Sequence, residues 1–246
     1  MMTNAERIRA NNADLRECIE IAKNLPVADG GGTELEDALV GGIARETITE
    51  YSNERVTVLR DYIFNDFSNL QEVNLPNVET VGSYAFYDCK VLTEIDLQKC
   101  TTLGSYSLAG CKALVKINMP LVTNVGSYAF VNNAMLYDVN IPLVKNLERQ
   151  TFYYCTALKK LDFHLLNTVA TYCFTNCRNL ETVIIRTSTV CSLANTNVFT
   201  GTKISSGTGH VYVPANLVDS YKTATNWVTY ANQIRAIEDY PEITGG

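Results

Sequence analysis

Residues 82–97 read Gly-Ser-Tyr-Ala-Phe-Tyr-Asp-Cys-Lys-Val-Leu-Thr-Glu-Ile-Asp-Leu, and this stretch decides the fold. The pattern starts again at Gly104 and at Gly126, and its leucine recurs every 22 residues without any insertion. These leucines are Leu70, Leu92, Leu114, Leu136, Leu158 and Leu180. A fixed period of about 20–29 residues that carries L-x-x-I-x-L predicts a solenoid, in which each repeat forms one coil and stacks on the next.

Stacked coils place the L-x-x-I-x-L stretches side by side, so their backbones pair into a parallel sheet. We therefore predict an α/β fold: a leucine-rich-repeat solenoid with a parallel β-sheet on one face, 22-residue repeats, an N-terminal helix and a helical C-terminal cap. Six repeats fill residues 60–193 and begin at Arg60, Gly82, Gly104, Gly126, Glu148 and Ala170. We assign residues 1–29 to the N-terminal helix, 30–59 to a linker and N-terminal cap, and 194–246 to a last partial coil and C-terminal cap.

The segment before the repeats carries helix signals. Thr3 and Glu6 form a capping box, and apolar residues recur at intervals of seven within residues 3–25. The glycines at 30–32 predict a flexible joint behind this helix. Two interpretations stay open: the helix lies against the end of the solenoid, or it joins copies of the chain into a homo-oligomer.

Beyond the repeats, the sequence predicts a cap, because a last coil cannot leave its apolar interior open to water. His210-Val211-Tyr212-Val213 predicts a strand that Pro214 ends, and residues 216–223 and 226–237 predict one or two helices. We expect Trp227, the single tryptophan, to plug the open end of the stack.

Two repeat positions predict how the coils pack. Four of the eight cysteines share one position, which Phe67 and Asn133 fill in the other two repeats. They are Cys89, Cys111, Cys155 and Cys177. An aromatic substitute favours buried free thiols over disulfides or a zinc site. The glycine that opens three repeats suits a tight turn with positive φ.

Composition excludes several functions. The chain has 246 residues, 26 of them acidic and 20 basic, but residues 60–193 hold 11 of each, so we expect no nucleic-acid partner. Residues 1–30 are too charged for a secretion signal, and no segment is apolar enough for membrane insertion. No P-loop, Rossmann or zinc motif is present, and no nucleophile accompanies His164. We therefore expect no catalytic residue, no cofactor and no metal ion.

The candidate partner-binding surface is a polar ladder. In each L-x-x-I-x-L strand, the residue between the last two apolar positions faces outward, on the side expected to be concave. These residues are Asn74, Asp96, Asn118, Asn140 and Asp162, with Ile184 ending the row, and the residues two positions earlier are Glu72, Glu94, Lys116, Asp138, Lys160 and Thr182. Stacked about 4.8 Å apart, these side chains form either a recognition surface or a solvated face whose amides hydrogen-bond along the row.

Residues 82–97 resemble the BspA-type leucine-rich repeat of bacterial surface proteins, and the resemblance covers residues 60–190 unit by unit. Residues 211–214, with Leu217, Tyr221 and Trp227, resemble the segment that closes many members of that family. The resemblance implies a non-catalytic scaffold that binds a protein or glycan, with adhesion at a cell surface as its expected role. It names no ligand, because such scaffolds serve many partners.

The sequence thus supports two hypotheses. In the first, the chain is an adhesion or interaction module whose polar ladder contacts a protein or glycan partner. In the second, it is a phage or prophage structural or receptor-binding component that the helix at residues 3–25 assembles into oligomers. The resemblance favours a cell-surface or extracellular location, although the sequence shows no leader and no anchor.

Overall fold

The computed structural model of the chain describes residues 48–244. The predicted helix at residues 3–25 and most of the predicted N-terminal cap lie outside these residues. The oligomerisation hypothesis, which depends on that helix, therefore stays a prediction.

Two parallel sheets run along the stack, one on each of two faces of the coils. The strands of the first sheet are β1 (Glu50–Ser52), β3 (Glu72–Asn74), β5 (Glu94–Asp96), β7 (Lys116–Asn118), β9 (Asp138–Asn140), β11 (Lys160–Phe163), β13 (Thr182–Ile185), β15 (His210–Val213) and β16 (Ile234–Ala236). Those of the second sheet are β2 (Val58–Leu59), β4 (Thr80–Val81), β6 (Thr102–Leu103), β8 (Asn124–Val125), β10 (Asn146–Leu147), β12 (Thr168–Val169) and β14 (Ser192–Leu193). We call the first surface the ladder face, because it carries the polar ladder.

The two sheets differ in continuity. The second sheet pairs all seven of its strands without a gap, from β2 to β14. The ladder face instead consists of three paired groups: β1 with β3; β5, β7 and β9; and β11, β13, β15 and β16. Backbone pairing on this face is therefore interrupted twice, after β3 and after β9.

The stacking begins before the first predicted repeat. Strand β1 pairs with β3 so that Glu50 lies opposite Glu72, and β2 pairs with β4 so that Val58 lies opposite Thr80. Both pairs are 22 residues apart, the period of the repeats themselves. Residues 48–59, which we assigned to the N-terminal cap, thus form half a coil in register.

Apolar residues at fixed repeat positions fill the interior of each coil. The six leucines of the L-x-x-I-x-L pattern have no exposed surface. Beside them the phenylalanines stack from coil to coil, with ring centroids 5.1 Å apart for Phe64 and Phe86 and 5.0 Å apart for Phe130 and Phe152. Identical residues therefore stack on each other, which explains why the period tolerates no insertion.

The cysteines link neighbouring coils through hydrogen bonds. Each thiol at the shared position donates to the backbone oxygen of a phenylalanine one coil earlier, over 2.9–3.1 Å. The seven cysteines among the described residues are buried and free, which confirms the predicted buried position. Burial raises the pKa of the Cys111 and Cys173 thiols to about 12, so they stay protonated and donate at neutral pH.

Asn133 fills the cysteine position in the fourth repeat, and replacing it with cysteine should stabilise the protein. Its Nδ2 donates to the backbone oxygen of Leu108 over 2.9 Å, as the thiols do in other coils, but its buried Oδ1 has no partner among the described residues. Asn133→Cys keeps a donor and removes the unpaired acceptor. We expect the free energy of unfolding, measured in urea, to rise by about 1–2 kcal/mol.

The reverse change, Cys111→Asn, serves as the matched control, because it buries a new amide oxygen at the same position one coil earlier. This variant should lose stability by a similar amount. If Asn133→Cys were no more stable than the parent protein, Oδ1 would have a hydrogen-bond donor after all.

The glycines that open three repeats serve close packing rather than a turn with positive φ, so that expectation was wrong. A Cβ on Gly82 would lie 2.5 Å from the backbone nitrogen of Asp61, and one on Gly104 would lie 2.4 Å from that of Ser83. Positive φ occurs instead two residues later, at Tyr84 (57°) and Tyr106 (57°).

The C-terminal cap contains helix α1 (Val218–Thr223), a 3₁₀ segment at Trp227–Gln233 and a short terminal helix α2 (Pro241–Thr244). The predicted helix over 226–237 was too long, because residues 234–236 form strand β16 and pair with β15. Trp227 is fully buried beneath the last coil, and its Nε1 donates to the backbone oxygen of Cys191 over 2.6 Å. The prediction that this tryptophan closes the solenoid is confirmed.

Candidate binding surface

The structure brings the predicted ladder residues together in one row on the ladder face. The strands pair so that Asp96 lies opposite Asn118 and Asn118 lies opposite Asn140. The row from Asn74 to Asp162 and the flanking row from Glu72 to Lys160 are both solvent-accessible. The alternate residues of the same strands point into the coil. The period of two along a strand thus holds here as predicted.

The central residues of this row hydrogen-bond to one another through their side chains. Asn140 donates through Nδ2 to Oδ1 of Asn118 over 2.7 Å, and Asn118 donates to Oδ1 of Asp96 over 3.2 Å. Gln98 donates to the same carboxylate oxygen over 2.5 Å. These bonds fix the amide orientations, so the row presents a defined order of acceptors and donors to solvent.

The flanking row contains the first residue of each strand and is exposed in every coil from Glu72 to Lys160. From Glu94 to Lys160 the sign of the charge alternates, because Lys116 lies opposite Glu94 on one side and Asp138 on the other. At the start of the row, by contrast, Glu50 lies opposite Glu72. The alternating charges from Glu94 to Lys160 avoid like-charge repulsion between neighbouring strands.

Asp162, at the end of the row, has different hydrogen-bond partners. Arg186 donates two hydrogen bonds of 2.8 Å, one to each carboxylate oxygen of Asp162, and these bonds raise the pKa of the guanidinium. Nε2 of His164 lies 3.9 Å from the same carboxylate. Cys155 is fully buried inside the coil, so its thiol cannot act as a nucleophile beside Asp162 and His164.

The end of the ladder face is covered by the protein's own C-terminal segment. Nζ of Lys160 donates to the backbone oxygen of Ile243 over 2.6 Å, and the ring of Tyr240 packs edge-on against Tyr212 at 5.4 Å. Because β16 follows β15 in the sheet, a segment that returns from β16 to β11 passes over β13 and β15. Ile184, expected to end the exposed row, is fully buried in this part of the sheet.

Sequence reasoning missed an apolar row beside the ladder. It consists of Leu121, Leu143 and Leu165, one per coil, in the turns that follow strands β7, β9 and β11. Leu121 is 47% and Leu165 41% exposed, which is unusual for leucine in a domain with so complete a core. The signal was present in the sequence, because these leucines also recur every 22 residues.

A second missed feature is a stack of tyrosines on the turn surface between the two sheets. Two further properties concern the whole described region, residues 48–244. Every helix in it is too short or too polar to cross a membrane. It also contains no group of three or more His, Cys, Asp or Glu side chains placed to hold a metal ion.

Solved structures with a similar fold include bacterial leucine-rich repeat proteins. The T. pallidum leucine-rich repeat protein TpLRR is 22% identical with a TM-score of 0.53, over 64% of this chain and 73% of that one. A leucine-rich repeat protein from Eubacterium ventriosum is 26% identical with a TM-score of 0.51, over 63% of this chain but only 43% of that one. No curated protein matches the chain.

The repeat sequence itself identifies the family. The pattern of the BspA type leucine-rich repeat region matches residues 46–159 and 121–217 in six copies. These matches cover more than half of the chain and include both the stacked coils and the start of the C-terminal cap. The chain therefore belongs to the BspA-type leucine-rich repeat family.

Proposed function

We propose that this protein is a non-catalytic interaction module whose ladder face binds a protein partner, in adhesion at a bacterial surface. The observation that carries the proposal is the exposed, hydrogen-bonded row from Asp96 through Asn118 to Asn140. Three coils hold these side chains in one fixed arrangement, so a partner meets a rigid surface and little side-chain entropy is lost on binding.

The apolar residues around the row favour a protein over a glycan. Leu121, Leu143 and Leu165 border the ladder where the strands end, and Met135 (54% exposed) and Tyr137 (59% exposed) border it where β9 begins. A polar row between exposed aliphatic and aromatic side chains suits a protein surface, whose binding energy comes from buried apolar area. The C-terminal segment contacts Lys160, and Ile184 in the next strand is buried, so we place the binding surface on the strands β5 to β9.

The experiment compares two triple variants, one on each sheet, that remove the same number of amides and of charged side chains. Asn118→Ala/Asn140→Ala/Asp138→Ala removes two amides and one charge from the ladder face. Asn124→Ala/Asn146→Ala/Lys145→Ala removes two exposed amides and one charge around the second sheet. Binding of the labelled chain is measured on a panel of immobilised extracellular proteins and on a glycan array.

We expect the parent protein to bind at least one protein on the panel, and the ladder variant to bind it at least about tenfold more weakly. The variant of the second sheet should bind as the parent does. Equal losses in both variants, or full retention by the ladder variant, would contradict the proposal. Binding confined to the glycan array would reject the protein partner.

A further inference from the structure

Four tyrosines form a second ladder on the turn surface. They follow the strands of the second sheet and precede the next strands of the ladder face. Tyr62, Tyr84, Tyr106 and Tyr128 occupy the third position of the first four repeats. Their ring centroids lie 4.9, 4.7 and 4.5 Å apart and their planes differ by only 6–10°. Because the ring faces cover one another, the tyrosine ladder exposes ring edges and phenol hydroxyls.

The backbone holds these tyrosines rigidly. Each has a positive φ, from 57° to 64°, a conformation that costs a residue with a side chain on the order of 1 kcal/mol and is kept by its surroundings. The backbone nitrogen of Tyr84 donates to the oxygen of Ser105 over 2.9 Å, and that of Tyr106 donates to Ser127 over 3.0 Å. A ligand would therefore meet the row already formed.

The surroundings of the tyrosine ladder have the composition of a protein-binding surface. Ser83, Ser105 and Ser127 precede the tyrosines on one side, and Tyr87 leans on Tyr84 and Tyr106 at 5.5 and 6.5 Å on the other. Rigid tyrosines among small serines and glycines supply large contact area and adaptable hydrogen bonding, as they do in antibody loops.

The spacing of the stacked rings matches the repeat of one peptide conformation. Two steps of the ladder span about 9.2–9.6 Å. A polyproline II helix advances about 3.1 Å per residue with three residues per turn, so its repeat of about 9.3 Å matches every second tyrosine. Its carbonyl groups make no internal hydrogen bonds, which leaves them free to accept from the phenols.

Charge near one end of the tyrosine ladder complements a basic flank on such a peptide. Asp61 and Asp66 are exposed in the first repeat, next to Tyr62, while Asp88 in the second lies 3.6 Å from Nζ of Lys90. Asp61 also accepts from the backbone nitrogen of Ser83 over 2.6 Å, and Arg60 precedes it. Asp66 therefore provides the carboxylate that is open to a partner's arginine or lysine.

We propose that the tyrosine ladder binds a proline-rich segment of another protein in the polyproline II conformation, with a basic residue of that segment at Asp66. A second copy of this chain does not suit the ladder. The row is one side chain wide and about 14 Å long from Tyr62 to Tyr128. Two such rows in contact would bury far less than the roughly 800 Å² per partner of a stable dimer.

The probe is a fluorescein-labelled peptide of ten prolines with two arginines at one end, made in both orientations. A glycine–serine peptide of the same length and charge is the matched control, and affinity is measured by fluorescence anisotropy. We expect at least one proline probe to bind with a dissociation constant on the order of 10–100 µM, as for a small transient interface. It should bind at least about tenfold more tightly than the glycine–serine peptide.

Variants separate this surface from the ladder face. Tyr84→Phe/Tyr106→Phe keeps the stack but removes two donors, and should weaken binding of the probe about tenfold. Asp66→Asn should weaken it severalfold, and this effect should disappear at 1 M salt. Tyr137→Phe, on the ladder face, should bind as the parent does, and each variant's circular dichroism should match that of the parent.

Three results would overturn the proposal. The first is equal affinity for the proline and glycine–serine peptides, or no binding of either at 1 mM. The second is unchanged affinity in Tyr84→Phe/Tyr106→Phe. The third is a dimer in sedimentation that this double variant dissociates, which would show a second copy on the tyrosine ladder. None of these results bears on the polar ladder, whose variants leave the tyrosines untouched.

Discussion

Replacing Trp227 with alanine is expected to lower the free energy of unfolding by about 3–5 kcal/mol. The indole is fully buried and packs edge-on against Tyr221 at 5.0 Å, with Phe199 at 6.0 Å. Phe199 is the last ring of the phenylalanine stack, 5.3 Å from Phe174. Removing the indole would therefore open the last coil to water, and the loss is a large part of the roughly 5–15 kcal/mol that stabilises a typical domain.

Urea unfolding, monitored by circular dichroism, tests this expectation by comparing Trp227→Ala with two further variants. Trp227→Phe keeps most of the volume but leaves the backbone oxygen of Cys191 without its donor, so we expect an intermediate loss of about 1–3 kcal/mol. Val228→Ala changes a neighbouring side chain that is 60% exposed, and should stay within about 0.5 kcal/mol of the parent. A Trp227→Ala protein as stable as the Val228→Ala protein would show that the indole does not close the stack.

The second large effect is alkaline unfolding. Burial raises the pKa of Cys100 to about 11, and that of Cys111, Cys173, Cys191 and Tyr221 to about 12. In the unfolded chain thiols titrate near 9 and tyrosine near 10. Protonated thiols therefore stabilise the fold fully below pH 9, and this contribution is lost as the pH rises toward 12. At pH 11, each thiol with a pKa of about 12 costs about 2–3 kcal/mol.

We accordingly expect cooperative unfolding between pH 9 and pH 12 in reducing buffer, measured by circular dichroism. Cys100→Val isolates one thiol, and valine already occupies that repeat position at Val78, Val122 and Val144. This variant should match the parent near pH 7 and exceed its stability by about 2 kcal/mol at pH 11. A difference that does not change with pH, or a parent protein that stays folded at pH 12, would contradict the assigned cause.

Local periodicity explains why the fold and the polar ladder were predictable. Leu92, Ile95 and Leu97 must all face the core, and the alternation along a strand then leaves Asp96 outside. The 22-residue spacing places Asn118 and Asn140 beside it. Each of these steps needs only a strand and its neighbour one repeat away, and both are visible in the sequence.

The remaining features depend on contacts or conformations that the period does not contain. The C-terminal segment reaches the ladder face at Lys160 from 83 residues away. The sequence therefore predicted an exposed Ile184 where the structure has a fully buried one. The tyrosine ladder lies in turns where φ is positive, so alternation does not apply and the side-chain directions cannot be read off. Arg186 lies 24 residues from Asp162, outside the 22-residue spacing, and its pairing with that carboxylate was equally hidden.

The unequal continuity of the two sheets has a mechanical consequence. Seven unbroken strands make the second sheet a spine, in which extension along the stack stretches backbone hydrogen bonds between every pair of coils. On the ladder face, the gaps after β3 and after β9 have no strand pairing to resist separation. We expect the three coils between these gaps, which carry Asp96, Asn118 and Asn140, to resist deformation more strongly than the two gaps themselves. A force that bends the solenoid should therefore act first at these two places, and leave Asp96, Asn118 and Asn140 in register.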